Sequence, residues 1–262
     1  MQSTLADVAP EIHVREISAR ATMPAAAPRR APETLHPSLW LGHQLGRHID
    51  AVDASGFAAL DAELPGGGWP RRCLTELLLS HPGVGEMRLM APALTRAQAR
   101  TVMLFDPPCQ LDAAVLISYG FDLDQLLVVR TRSRTLPGGD SLWSLEQALK
   151  SGHVGAVLAW LPPRLRAERL RRLQLAAHNH DGVAFVVREA SVADRPSASP
   201  LRLSVRAGGV DRLRVSVVKR RGPPLLEPLI LDLPSVLSAA AKRRSTVAPT
   251  SRDVAGKAVT TT

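Results

Sequence analysis

The stretch from Ala54 to Met87 constrains the fold more than any other part of the chain. Ser55-Gly56-Phe57-Ala58-Ala59-Leu60-Asp61 leads into Leu64-Pro65-Gly66-Gly67-Gly68-Trp69-Pro70. A short apolar run, Leu74–Leu79, follows, and then the glycine-bearing Ser80-His81-Pro82-Gly83-Val84-Gly85-Glu86-Met87. An apolar run of this length between glycine turns predicts a buried strand. A glycine loop that leaves such a strand and opens a helix can cradle phosphate with its backbone N–H groups. A working loop of that kind ends in Gly-Lys-Ser/Thr, where the lysine neutralises phosphate and the hydroxyl holds Mg²⁺. Here Glu86 and Met87 follow Gly85. A carboxylate at that position is expected to repel phosphate, leaving Gly83 and Gly85 only to permit a turn.

Downstream, apolar runs alternate with amphipathic segments. Strands are expected at Leu74–Leu79, Val102–Phe105, Leu126–Val129, Val154–Trp160 and Val183–Val187, and helices at Leu94–Arg100, Leu111–Tyr119, Leu142–Ser151 and Leu165–His178. That alternation predicts an α/β fold, a mostly parallel sheet with helices on both faces. Leu201–Arg206 and Leu213–Val217 instead alternate with period two, around a turn at Gly208-Gly209. They predict an antiparallel hairpin closing one edge of the sheet. Leu35–His48 could form a short helix.

The flanks have a different composition. Pro24, Pro28 and Pro32 interrupt the N-terminal stretch, and residues 1–34 are expected to be disordered. Residues 237–262 are expected to form a basic disordered tail, with five basic side chains from Lys242 onward against Asp253. Much of the net charge of +9 therefore sits outside the folded part, which weakens an argument for nucleic-acid binding from charge alone. Cys73 and Cys109 stand far apart without metal-type spacing, and a reducing cytoplasmic setting is expected. No signal peptide is expected, and no run approaches the roughly 18 apolar residues needed to span a membrane.

Over residues 54–232 the order of elements resembles the core of the RecA family. Ser55–Asp61 looks like that family's opening motif and Gly67-Gly68-Trp69-Pro70 its Gly-Gly-Leu-Pro turn. Gly120–Leu127 is similar to its link from helix to strand, and Val215–Arg221 to its late Lys-x-Lys strand. A narrower resemblance is to the ImuA family, through Leu64–Pro70, Gly155–Leu161, Arg171–Ala177 and Lys219–Gly222. The last strand and helix also resemble SulA, the SOS-induced cell-division inhibitor, although SulA-type chains lack the Leu-Pro-Gly-Gly-Gly-Trp-Pro segment.

The ImuA resemblance implies a RecA-like domain over 35–236 without a working phosphate loop, and no enzymatic activity, cofactor or metal. It implies an accessory protein of error-prone translesion synthesis in the SOS response. Its partners would be an ImuB-type polymerase homologue, an error-prone replicative-type polymerase acting indirectly, and RecA. A SulA-like inhibitor of FtsZ and a weak RecA-like ATPase are the alternatives.

Against the RecA pattern, three positions are altered. Glu86 falls at the loop lysine, Asp106 lies in a loop reshaped by Pro107 and Pro108, and Trp160 takes the place of the metal-orienting aspartate. A large apolar ring cannot organise metal-bound water. Lys219 and Arg221, with Arg220 between them, match the residues that reach a neighbouring protomer's nucleotide in RecA. They could dock on a RecA protomer, contact DNA or form a solvated cluster. Arg166, Arg169 and Arg172 lie one turn apart, away from the apolar stripe Leu170, Leu173 and Ala177. They are either a solvated face or a partner or nucleic-acid contact. His178-Asn179-His180-Asp181 reads as a polar helix end.

Overall fold

In a computed structural model of the chain, the described residues are 51–131 and 139–235. The terminal segments 1–34 and 237–262, and the helix expected at Leu35–His48, lie outside the described residues.

The residues with the longest apolar runs make the centre of the sheet. β3 (Leu74–Leu79), β6 (Val154–Trp160) and β7 (Val183–Glu189) are buried along nearly their whole length. That is what strands covered on both faces require. The eight-stranded sheet has the order β10-β9-β8-β3-β7-β6-β4-β5. It is completed by β4 (Thr101–Phe105), β5 (Leu126–Val129), β8 (Leu201–Gly209), β9 (Arg212–Lys219) and β10 (Leu229–Asp232). The pairs from β8 through β3 to β5 are parallel, and β8–β9 and β9–β10 are antiparallel. A separate two-stranded sheet joins β1 (Val52–Asp53) to β2 (Trp69–Pro70), with the short α1 (Ala58–Asp61) between them.

Helices cover both faces. α2 (Glu86–Arg96) and α3 (Ala113–Ser118) pack on one, where Leu89, Met90, Leu94 and Leu116 meet Leu77, Leu104 and Phe185. Trp69 from β2 sits edge-on to Phe185 in the same layer, with ring centroids 5.1 Å apart. α4 (Gly139–Lys150) and α5 (Ala167–Ala177) pack on the other, through Leu145, Leu149, Leu170 and Leu173 against Val157 and Val186. Gln174 ties α5 to β3 by accepting a hydrogen bond from the Leu74 amide at 2.9 Å.

Two expectations need correction. α2 begins at Glu86, directly after the glycine loop, and ends at Arg96, where Leu94–Arg100 was expected. Pro92 lies inside α2 against Gly56, which adopts φ +89°. A Cβ at Gly56 would approach Pro92 Cβ to 2.7 Å, so a glycine there lets the proline-bearing turn pack. The hairpin also sits differently. Gly208 and Gly209 belong to β8, the chain reverses at Val210-Asp211, and β10 rather than the hairpin forms the edge.

Candidate functional site

Ligands of open parallel sheets gather at the carboxyl ends of the strands, where the chain leaves the sheet to either side. β3 lies inside the parallel part of the sheet, with β7 on one flank and β8 on the other. Its carboxyl end runs into the loop that holds Gly83 (φ +86°) and Gly85 (φ +116°) and then into α2.

The loop's donors are already engaged. The Gly83 N–H donates to the two carboxylate oxygens of Glu86 at 2.9 and 3.1 Å, and the Gly85 N–H donates to Glu86 Oε2 at 3.1 Å. Glu86 is 4% exposed, and it is the first residue of α2, where the helix dipole favours an anion. The two glycines therefore do more than permit a turn, because their amides hold the Glu86 carboxylate. The glycine amides and helix start form an anion cradle, and the chain's own carboxylate fills it. Behind the cradle, Leu213 and Leu233 close on Gly85, whose missing Cβ would lie 3.1 Å from Leu233.

Beside the loop, a cavity of about 390 Å³ lies at the ends of β3, β4, β6 and β7. Asp106, Trp160 and Arg188 line it with His81 and several prolines and leucines. Asp106 adopts φ +48° and binds the chain just past β5. Its carboxylate accepts from the Thr131 N–H at 2.6 Å and from the Thr131 hydroxyl at 2.9 Å. Trp160 ends β6 as expected, and its ring packs against the α2 side of the core.

Arg188 belongs to a buried ion triad that sequence reasoning missed. Glu76, fully buried in β3, accepts from Arg188 Nη1 at 2.9 Å and from Arg202 Nε at 2.7 Å. Arg202 also donates to the Val192, Ala193 and Arg195 carbonyls, which fastens the β7–β8 connection to the sheet. The signal was available. A lone glutamate inside Leu74-Thr75-Glu76-Leu77-Leu78-Leu79 must find a cation if its strand is buried.

The basic candidates are dispersed. Lys219 ends β9 and donates to the Ser197 carbonyl at 2.9 Å. Arg220 is tied to Glu63, with Nη1 to Oε2 at 3.0 Å, and to the Pro223 carbonyl at 2.7 Å. Arg221 is exposed. Arg166 precedes α5, Arg169 lies exposed on it, and Arg172 pairs with Glu146 of α4 at 2.8 Å. The three arginines are therefore not one equivalent face. Lys150 and Arg172 hold the Glu146 carboxyl below its ordinary range, chiefly through the Lys150 hydrogen bond, against a smaller opposing effect of desolvation.

The chain is similar to the cell division inhibitor SulA. It is 29% identical to SulA of Photorhabdus laumondii over 117 residues, which is 44% of this chain and 63% of that protein. A shorter stretch of 38 residues is 50% identical to SulA of Edwardsiella piscicida, covering 14% of this chain and 23% of that protein. The chain thus spans less than two thirds of the length of either curated relative. No protein-family profile matches it. Among the described residues, no helix is long and apolar enough to cross a membrane.

Within the polar helix end after α5, His180 is buried, at 1% exposed. Burial is the main cause that pushes its imidazole below the ordinary histidine range, and nearby Arg100 adds to it. The Val183 backbone and Asp181 act in the opposite direction. Asp181 pairs with Arg72 at 2.8 Å. Four arginines at this amino edge of the sheet, Arg71, Arg72, Arg96 and Arg100, were not marked by any sequence motif.

Proposed function

We propose that the chain is a non-catalytic protein of the SOS response that acts by binding a partner, in the manner of a SulA-type inhibitor of cell division. The observation that carries this reading is the Glu86 carboxylate held by Gly83 and Gly85. A side chain that occupies the anion cradle from within competes with any nucleotide phosphate by proximity. The scaffold is then free to serve as a surface, and the similarity to two SulA proteins supports division inhibition as its first specific use. The sheet with β3 at its centre and a glycine loop at its carboxyl end also supports a RecA-type lineage whose chemistry has lapsed. FtsZ is the partner this reading names. Lys219 and Arg221 at the end of β9, with Arg166 and Arg169 beside α5, are the candidate contacts.

The test is overproduction in a bacterial host together with sedimentation of FtsZ polymers in the presence of the purified chain. Filamentous cells and fewer sedimented polymers are expected. Cells of ordinary length and unaffected polymers would remove the division reading.

One observation favours a second reading, an accessory role in translesion synthesis with an ImuB-type partner. Leu64–Pro70, the segment that SulA-type chains lack, is built into the fold. Leu64 and Trp69 are buried, and Arg220 is anchored to Glu63. Deletion of the gene followed by measurement of ultraviolet-induced mutation frequency tests it, and an unchanged frequency counts against it.

A further inference from the structure

The amino edge of the sheet, opposite the glycine loop, carries a small cavity of about 140 Å³. Arg71, Arg96 and Arg100 line it with Asp53, Asp181 and the bare backbone of Gly155 and Gly182. Its geometry follows from close backbone packing. α2 ends at Arg96, a single 3₁₀ turn covers Ala97–Ala99, and Arg100 comes next. That turn lies directly on the start of β6. A Cβ on Gly155 would collide with the Ala97 carbonyl, and one on Gly182 with the Gly155 carbonyl. The approach that only glycine permits holds the arginines on either side of the turn at the same edge.

The charges around the cavity do not balance. Asp53 is taken up by Arg71, whose Nε lies 3.0 Å from its carboxylate, and Asp181 by Arg72 at 2.8 Å. Arg72 holds φ +57° in making its pair, a left-handed conformation that costs a non-glycine residue energy. Arg96 donates to the Ala54 carbonyl, and Arg100 to the Gly152 carbonyl at 2.9 Å. Both acceptors are neutral, and neither arginine forms an ion pair among the described residues. Each therefore has further N–H donors beside the cavity, whose carboxylates are already paired with Arg71 and Arg72.

We propose that Arg96 and Arg100, backed by the Arg71–Asp53 and Arg72–Asp181 pairs, bind a phosphate group at the amino edge of the sheet. Planar guanidinium donors on two sides of a small cavity suit a tetrahedral oxyanion. The phosphate can belong to a nucleic-acid backbone or be free in solution. The site is independent of the division-inhibitor reading, and it leaves the carboxyl edge open for a protein partner.

The test compares the full chain with the double variant Arg96→Gln/Arg100→Gln, which removes both charges and keeps polar side chains. A labelled duplex oligonucleotide is titrated by fluorescence anisotropy at several salt concentrations, and inorganic phosphate is titrated by thermal shift. For a backbone phosphate, oligonucleotide affinity falls at least tenfold in the variant. The dependence of log K on log salt also becomes shallower, by about 0.9 for each phosphate that is no longer neutralised. For free phosphate, the thermal shift disappears in the variant while oligonucleotide binding is unchanged. Arg206→Gln/Arg214→Gln, at two exposed arginines paired across β8 and β9, serves as a control of equal charge and should retain both responses. Arg96→Lys/Arg100→Lys, which keeps the charge but loses the planar fork, should be intermediate and provides a second reading if the glutamine variant folds poorly. Equal responses of the wild type and the cavity variants to both ligands, or equal losses in the control, would overturn the proposal.

Discussion

With Glu86 truncated, the amides of Gly83 and Gly85 lose their acceptor at the start of α2. Gly83 is exposed and Gly85 half-buried, so water partly replaces the carboxylate and the loss is that of ordinary hydrogen bonds, about 0.5–1.5 kcal/mol each. Glu86→Ala is expected to lower the unfolding free energy by about that amount in urea titrations, and added phosphate to recover more stability in the variant than in the wild type. Glu76 has a larger role. Glu76→Gln leaves two buried guanidinium groups facing a neutral amide, and breaking a buried pair costs about 3–5 kcal/mol. His180 adds a pH dependence. Its folded pKa lies below its unfolded value, so below the ordinary histidine pKa near 6.5 the unfolded chain takes up the proton more readily. Its contribution is fully present above that value and is lost as the pH falls through the folded pKa. The stability difference between wild type and His180→Gln, measured from pH 8 to pH 5, should shrink toward acid. A constant difference would show that the ring is not held neutral.

Among the elements, α5 separates packing from display. Leu173 is buried against the sheet, while Leu175, two residues on, is 58% exposed. Leu173→Ala should cost about 2–5 kcal/mol and Leu175→Ala less than about 0.5 kcal/mol in chemical denaturation. The period of 3.6 residues makes that contrast legible from sequence, because Leu170, Leu173 and Ala177 fall on one stripe. Strand positions were legible for a similar reason. A buried parallel strand needs a nearly unbroken apolar run, and β3 and β6 have the bounds their runs predict, as does β5 at the sheet edge, where Leu127 and Val128 are exposed. The start of α2 was less legible, because the expected helix began only at Leu94 while the structure starts it at Glu86, on the glycine cradle.

For the molecule as a whole, the two apolar layers share the strands β3, β6 and β7, so neither layer can come apart without exposing the other. Leu77→Ala on the α2 face and Leu173→Ala on the α5 face should therefore each shift one cooperative unfolding transition, followed by circular dichroism, without splitting it. A split transition would mean that the layers unfold separately. The two edges of the sheet also hold different chemistry. The carboxyl edge has its anion cradle filled from within, and the amino edge has two arginines, Arg96 and Arg100, whose hydrogen bonds go to neutral carbonyls.

What the sequence determined by itself was local: the hydrophobic runs, the amphipathic stripes, the glycine loop and the absence of its lysine. These follow from periodicities of a few residues, and they were sufficient for an α/β sheet with helices on both faces. The tertiary structure alone decided the strand order, the outer position of β10 and the partners of each charge. Glu76 meets Arg188 and Arg202 across 112 and 126 positions, and Arg172 meets Glu146 across 26. A charged side chain looks the same in sequence whether it faces water, a carboxylate or an empty cavity. Its electrostatic role depends on burial and on which distant segments fold beside it, and neither is a local property of the chain.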